Sequence, residues 1–304
     1  MSITKPIDFS CKHNVLLRSP DGTCTPMDEP FFQAELIAPG TWKILSDGDF
    51  SYLVAGEREA VSIDTGYGAG NLRLFLESLC GLSVPNVINT HHHFDHTAGN
   101  PYFEKAYMHP AAFDRATIPY ASFAGIQFPR DYEFAAVREG DLYELGGRTL
   151  EFFYIPDHTP DGIAILDRKE RILFTGDELM GMPMGKTLNV SVETFAGYLD
   201  KLLAHRHEFD RMFGGGGEVD VSLLERYATC ARAILDGQPG EPFQRTKPKF
   251  SPLPAGPNGE LVYERRMPRW GDGGSGEPVP PGNWYVLEHS GVRIVYDRTH
   301  SQNT

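Results

Sequence analysis

The chain has 304 residues, a length that suits one large α/β domain or a domain with an appended cap. With 40% hydrophobic and 23% charged residues, its composition supports a sizeable buried core. Its formal net charge of −13 argues against a nucleic-acid partner, because phosphate binding needs a concentrated basic surface. No segment approaches the roughly 18 consecutive apolar residues of a membrane span, and residues 1–17 lack the apolar core of a secretion signal, so we expect a cytoplasmic protein without a membrane partner.

The first half of the chain predicts a series of short strands that ends at a run of histidines. Residues 1–30 are polar and rich in turn formers, and they predict an irregular surface arm. Short apolar runs separated by turn residues then predict hairpin-linked strands at 34–37, 41–45, 51–55 and 60–63. Helical spacing of leucine and phenylalanine after residue 71 predicts a helix, and a further strand is predicted at 84–89.

The second half repeats the alternation of strands and helices. A long connection at 104–140 is followed by predicted strands at 150–155, 162–166, 171–174 and 211–213 and by amphipathic helices at 192–205 and 222–235. Proline and glycine are dense at 237–282, and a hairpin of strands 284–287 and 292–296 closes the chain. We predict an N-terminal arm (1–30), a catalytic domain (31–240) and a C-terminal extension (241–304).

The four cysteines are scattered, and no two of them form a C-x-x-C pair. They are Cys11, Cys24, Cys80 and Cys230. In a chain of this length we expect reduced thiols, with a Cys11–Cys24 disulfide as the alternative.

Four metal-binding side chains lie within six residues, immediately after the predicted strand 84–89. They are His91, His93, Asp95 and His96. In an extended turn His91 and His93 point the same way, so one short loop can supply two adjacent ions. Imidazole and carboxylate ligands suit zinc first, and iron or manganese nearly as well. The alternative of a tag-like run is disfavoured, because this run is internal and is interrupted by Phe94 and Asp95.

The pattern His91-x-His93-x-Asp95-His96 resembles the signature of the metallo-β-lactamase superfamily, and other landmarks of that family follow in order. Asp64 resembles the aspartate that supports the metal loop from behind, His158 the third histidine of the first metal site, and Asp177 the carboxylate that bridges two ions. Taken alone, His158 could be a surface residue and Asp177 a turn former. The resemblance implies an α/β fold, the four-layer αββα sandwich of the family.

By the same resemblance, one ion is held by His91, His93 and His158. Asp95, His96 and Asp177 hold the second. A water or hydroxide between the ions is then the expected nucleophile, because a divalent cation lowers the pKa of bound water towards about 7. Asp95 and Asp177 are the implied catalytic carboxylates, and Asp95 is placed to orient the hydroxide or transfer its proton.

The sequence departs from the family at the last ligand of the second ion. The family has a histidine in a turn after the penultimate strand, and Gly216 stands at that position. Weak binding of the second ion, a replacement ligand and a one-metal enzyme all remain open. The replacement candidates are His205, His207 and His289, each of which more simply has a structural or solvent-exposed role.

Aromatic and methionine side chains near the predicted metal edge suggest an apolar, adaptable substrate wall. They are Tyr107, Phe113, Tyr120, Phe123, Phe128, Tyr132, Met180, Met182 and Met184. Packing of these loops onto the body or onto a second copy in a homodimer is the alternative. Tyr67, Met182 and His289 are the substrate-binding candidates, and the expected partner is a small, fairly apolar molecule.

The leading hypothesis is a metal-dependent hydrolase that cleaves an ester, lactone, thioester or amide bond. Fold membership alone does not select β-lactams as substrates. The first alternative is a mononuclear iron oxidoreductase similar to sulfur dioxygenases, since Gly216 is compatible with a one-metal site. The second is a non-catalytic metal- or ligand-binding relative.

Overall fold

A computed structural model describes residues 15–19, 21–26, 32–46, 49–68, 70–120, 128–180, 185–247, 256, 258–264, 277–278 and 282–300. Backbone contacts divide the chain into two compact units, one of residues 1–152 and 250–268 and the other of residues 153–249 and 269–304. The predicted divisions at residues 30 and 240 stay a prediction. No helix of the described residues is both long and apolar enough to cross a membrane.

The strands and helices are short and follow one another closely along the chain. The strands are β1 (Val15–Arg18), β2 (Cys24–Pro26), β3 (Gln33–Ala38), β4 (Thr41–Leu45), β5 (Phe50–Ala55), β6 (Ala60–Ile63), β7 (Asn86–Ile88), β8 (Lys105–Met108), β9 (Glu133–Ala136), β10 (Leu142–Glu144), β11 (Thr149–Tyr154), β12 (Ile163–Asp167), β13 (Ile172–Gly176), β14 (Lys186–Thr187), β15 (Arg211–Gly214), β16 (Gly217–Val219), β17 (Glu241–Pro242), β18 (Thr246–Lys247), β19 (Leu261–Glu264), β20 (Glu277–Pro278), β21 (Trp284–His289) and β22 (Val292–Asp297). The α-helices are α1 (Leu72–Cys80), α2 (Phe94–Thr97), α3 (Val192–Ala204) and α4 (Ser222–Leu235).

The first unit is built on a seven-stranded sheet in chain order, β3 to β9. Strands β3 to β6 are antiparallel, as predicted, and β6 to β9 are parallel. The parallel pairing of β6 and β7 places their carboxyl ends at the same edge of the sheet, so Asp64 and the histidine run both begin at that edge.

Helix α1 covers this sheet with its apolar side. The side chain of Asn71 accepts a hydrogen bond from the amide of Leu74, and Gly81 ends the helix in the left-handed conformation. Leu72 and Leu76 are buried in a cluster with Leu53 and other core side chains of the sheet. Burial of this helical face fixes the crossover from β6 to β7 and therefore the position of the loop that follows β7.

The second unit contains two groups of strands and two long helices. Strand β13 pairs antiparallel with β12 and parallel with β15, and the four-stranded sheet β14-β22-β21-β17 includes the predicted closing hairpin. The side chain of Ser191 accepts from the amide of Thr194 and begins α3. Helices α3 and α4 bury Phe195, Leu199 and Tyr227 in one core with β21 and β22.

Two sequence expectations about irregular segments were wrong. The predicted irregular arm contains β1, which pairs with β2 and with the distant β19. The predicted connection 104–140 contains β8 and β9, which extend the parallel part of the large sheet. These strands are only three or four residues long, and their pairing with distant segments identifies them.

Candidate metal centre

The histidine loop of the first unit leaves the sheet at β7 and turns into α2. His93 is in extended conformation and caps α2, while His96 lies within that short helix. The hydroxyl of Thr97 donates to the carbonyl of His93 at 3.0 Å, which holds the turn closed. The loop is therefore a fixed turn in which His93 immediately precedes α2 and His96 lies within it.

The predicted ligands of this loop lie side by side. The ring of His91 is 4.7 Å from the ring of His93 and 4.2 Å from the ring of His96, measured between centroids. One ring nitrogen of His91 lies within 4.8 Å of one in His93, and likewise for His91 and His96. His91 and His96 are buried, whereas His93 and Asp95 are half-buried. The structure thus brings together the four side chains that the sequence predicts.

Asp64 supports the loop from behind, as the resemblance implied. It follows β6 with a φ of 58°, a left-handed conformation that aspartate adopts more readily than most residues. One carboxylate oxygen accepts from the amide of Thr90 at 2.8 Å, and the other lies 2.8 Å from Nδ1 of His96. Because a buried carboxylate accepts, Nδ1 of His96 carries the proton and Nε2 presents its lone pair.

The same aspartate orients His91 through Thr90. The hydroxyl of Thr90 donates to Asp64 at 2.7 Å and lies 3.1 Å from Nδ1 of His91. Since the hydroxyl proton is used by Asp64, Nδ1 of His91 is the donor in the second contact. Both buried rings therefore carry their proton on Nδ1, and Nε2 is the ligand atom in each.

Tyr120 donates a hydrogen bond to a carboxylate oxygen of Asp95 at 2.5 Å. The other oxygen of Asp95 lies 4.0 Å from Nε2 of His96. The ring of Tyr120 also contacts the ring of Phe94 at 5.8 Å between centroids. The sequence identified Tyr120 only as an aromatic wall residue, and it missed this contact with a predicted catalytic carboxylate.

The predicted aromatic wall divides into two groups. Tyr67 and Phe128 contact the ring of Phe94 beside the histidine loop. Tyr120 also contacts Phe94. Three other aromatic residues of the 104–140 segment pack elsewhere, Tyr107 against Tyr143, and Phe113 and Tyr132 against Phe134. Phe123, Met182 and Met184 lie outside the described residues.

In the second unit, His158 and Asp177 lie close together although 19 residues separate them. Nε2 of His158 is 3.7 Å from a carboxylate oxygen of Asp177. Asp177 is buried and directly follows Gly176, whose φ of 52° is a left-handed conformation that glycine adopts without steric cost. A Cβ on Gly214 would lie only 2.5 Å from the carbonyl oxygen of Gly176, so glycine is also needed on the adjacent strand β15.

Two acidic residues adjoin this pair in sequence, and both contact Lys186. The ammonium of Lys186 lies 2.9 Å from a carboxylate oxygen of Asp157 and 2.9 Å from one of Glu178. Burial lowers the pKa of this ammonium, but the attraction of Glu178 and Asp157 outweighs burial and raises the pKa above its ordinary value. Lys186 was not identified from the sequence, because its partners lie 8 and 29 residues away.

The candidates to replace the missing histidine are held by local contacts. Gly216 lies in the turn between β15 and β16. Nδ1 of His205 lies 2.9 Å from Glu208, His207 is largely exposed, and Nδ1 of His289 lies 2.9 Å from the hydroxyl of Ser290. Among the described residues, none of the three histidines belongs to a group of three or more side chains placed to bind a metal.

A sequence profile of the metallo-β-lactamase superfamily matches residues 47–221, which is more than half of the chain. The chain belongs to the metallo-β-lactamase superfamily. A solved metallo-β-lactamase from Pontibacter korlensis superposes with a TM-score of 0.52 at 18% identity, over 66% of this chain and 99% of that chain. The α/β fold class predicted from the sequence is thereby confirmed.

Two curated relatives of this superfamily member are thioesterases by name. The chain is 27% identical over 142 residues to an atrochrysone carboxyl ACP thioesterase of Pseudocercospora fijiensis, covering 46% of this chain and 39% of the relative. It is 27% identical over 155 residues to the acyl-coenzyme A thioesterase MBLAC2 of Gallus gallus, covering 41% of this chain and 56% of the relative. The match therefore spans about half the length of these relatives.

Proposed function

We propose that the chain is a metal-dependent hydrolase. In this proposal His91, His93 and His158 hold one divalent ion, and Asp95, His96 and Asp177 hold a second. Zinc is the first choice, because neutral imidazoles and carboxylates are its common protein ligands, and iron or manganese would also be accepted. The imidazole and carboxylate groups of these residues are the ligand types that such ions prefer, and family membership supports the assignment.

The observation that carries the proposal is the fixed orientation of two buried histidine rings. Nδ1 of His96 donates directly to Asp64, and Nδ1 of His91 is linked to Asp64 through Thr90. Metal-binding histidines usually donate their second ring N–H to a carboxylate or similar acceptor, which fixes the tautomer and strengthens the ligand. A purely structural pair of buried histidines does not require both rings to present the same nitrogen.

When bound, a divalent ion lowers the pKa of a coordinated water from 15.7 to about 7 and polarises the oxygen of a carbonyl substrate. Asp95 would orient the attacking water and receive its proton, because Tyr120 holds one carboxylate oxygen and thereby fixes the direction of the other. Tyr67, Phe94 and Phe128 would form an apolar wall beside the reacting bond and limit access of bulk water.

We further propose that the scissile bond is a thioester. The names of the two curated relatives support this choice over an oxygen ester, lactone or amide. The apolar side chains around Phe94 favour an acyl group of low polarity. The absence of nucleic-acid and membrane partners, the cytoplasmic location and a homodimer remain predictions, as do roles for Met182 and His289 in substrate binding.

The mononuclear iron oxidoreductase remains the second candidate because of one observation. Gly216 occupies the turn where the family supplies a ligand to the second ion, and the three alternative histidines are engaged elsewhere. A one-metal site is compatible with this geometry.

The test is elemental analysis of protein purified without chelators, combined with release of thiol from a panel of acyl thioesters and matched oxygen esters. Zinc content with faster thioester than ester cleavage supports the proposal. Iron content with oxygen consumption on thiol substrates would support the second candidate, and absence of both metal and turnover would overturn the hydrolase assignment.

A further inference from the structure

A buried ion network surrounds the predicted ligands of the second unit. Lys186 is 8% exposed, and its ammonium lies between the carboxylates of Asp157 and Glu178, which are 0% and 3% exposed. The ammonium also donates to the backbone carbonyl of Glu178 at 2.7 Å. Three formal charges are therefore held inside the unit with almost no contact with water.

Neighbouring groups also donate hydrogen bonds to both carboxylates. Asp157 accepts from the amides of Asn189 and Val190 at 2.6 and 3.1 Å. Glu178 accepts from the hydroxyl of Tyr198 at 2.6 Å. The network thus ties the segment around residue 157, the end of β13, the segment leading to α3 and α3 itself to one central lysine.

The network adjoins both predicted ligands. Asp157 immediately precedes His158, and Glu178 immediately follows Asp177. Glu178 also accepts a hydrogen bond from the backbone amide of His158 at 2.7 Å. One carboxylate therefore spans the two segments that carry His158 and Asp177, and Lys186 joins that carboxylate to the residue on the other side of His158.

Stability of the fold alone is a weak reason for such an arrangement. Removing charges from water is expensive, and a buried ion network can often be replaced by apolar residues of similar volume without loss of stability. Hydrogen bonds to charged groups are directional, because each carboxylate oxygen accepts only from particular directions. Such a network therefore fixes the positions of the segments that it joins. One contact of this network is made by the backbone amide of His158, and the others hold the residues adjacent to His158 and Asp177.

We propose that Lys186, Asp157 and Glu178 are positioning residues that set His158 and Asp177 in the geometry needed for metal binding. This inference rests on the proposed metal centre. Loss of the network keeps both ligand residues in the sequence but allows their backbone segments to shift. Metal affinity therefore falls although the set of ligands is unchanged. Ligand-supporting contacts of this kind usually contribute about 10- to 100-fold in metal affinity.

The test compares Lys186→Met with a matched control in the full-length protein. Arg73 is also a buried cation between two carboxylates, since it is 1% exposed and lies 3.0 Å from Glu77 and 2.9 Å from Glu104. It lies in the first unit, and neither Arg73 nor its two partners is adjacent in sequence to a predicted metal ligand. Arg73→Met therefore reports the general cost of removing a buried cation from its ion pairs.

Metal-free protein is titrated with cobalt(II), whose visible absorption reports both affinity and coordination geometry. Lys186→Met is expected to bind cobalt about 10- to 100-fold more weakly than wild type and with an altered spectrum. Arg73→Met is expected to keep the wild-type affinity and spectrum. Tyr198→Phe removes one hydrogen bond to Glu178 and retains all charges, so it should fold and bind cobalt about 3- to 10-fold more weakly.

Folded Lys186→Met and Tyr198→Phe proteins with wild-type cobalt affinity and spectrum would overturn the inference. If Lys186→Met does not fold, Tyr198→Phe decides alone. Wild-type protein that binds neither cobalt nor zinc would instead overturn the metal centre itself, which separates the two failures.

Discussion

The carboxylate of Asp64 lies 2.8 Å from Nδ1 of His96 and accepts a hydrogen bond from it, which turns Nε2 of that ring away from Asp64. A side chain that follows β6 thus determines which nitrogen is presented by a side chain that follows β7. The parallel pairing of these two strands makes the contact possible, because it places both strand ends at one edge of the sheet.

Asp64→Asn tests this relationship with little change in shape. Asparagine tolerates the φ of 58° at this position, but its neutral amide is a poorer acceptor for the His96 proton and for the Thr90 hydroxyl. We expect metal affinity to fall by about 10- to 100-fold. Competition with a chromogenic chelator measures the affinity. Asn71→Ala, which removes the cap of α1 and costs about 1 kcal/mol of stability, is the control, and an equal loss of affinity in both variants would contradict the orienting role.

Tyr120→Phe tests whether Asp95 is held in a catalytic orientation. The substitution removes the hydrogen bond of 2.5 Å but keeps the ring contact with Phe94. We expect kcat to fall by about tenfold, with little change in KM or metal content, because only the placement of the proton acceptor changes. Steady-state kinetics with metal analysis measures this. Tyr107→Phe, whose ring packs on Tyr143, should behave as wild type, and an unchanged kcat in Tyr120→Phe would show that Asp95 does not need this contact.

Gly216→His tests the vacancy in the ligand pattern of the family. Gly216 is not among the glycines with positive φ in the described residues, so its backbone accepts a side chain. We expect the variant to bind more metal per chain than wild type, because the new imidazole completes the ligands of the second ion. Metal content after dialysis measures the ratio. An unchanged ratio would mean that another group already supplies that ligand.

The described cysteines are expected to differ sharply in reactivity. Cys24, Cys80 and Cys230 are free thiols, Cys24 is exposed and Cys230 is buried, whereas Cys11 lies outside the described residues. Burial raises the pKa of the Cys230 thiol from 9.0 to about 11, which lowers its thiolate fraction near pH 8 by about 100-fold. Alkylation followed by peptide mapping should label Cys24 in the native protein and Cys230 only after unfolding. Rapid native labelling of Cys230 would contradict its placement.

The sequence predicted the parts of the fold and site that depend on local patterns. The hairpin strands β3 to β6 alternate with clear turn residues, and the histidine loop combines four metal-binding residues within one turn. Strands β8 and β9 were missed because their stability comes from parallel pairing with distant segments. Lys186 was missed for the same kind of reason, since a lysine side chain usually lies in solvent and only the three-dimensional contacts identify its partners.

Metal binding by the histidine loop is tested most directly by the zinc content per chain of His91→Ala compared with wild type. The measurement is made on folded protein purified without chelators. We predict that wild-type protein retains zinc and that the variant loses it together with thioester cleavage. Zinc content in His91→Ala equal to that of wild type would contradict the assignment of the histidine loop as a metal centre.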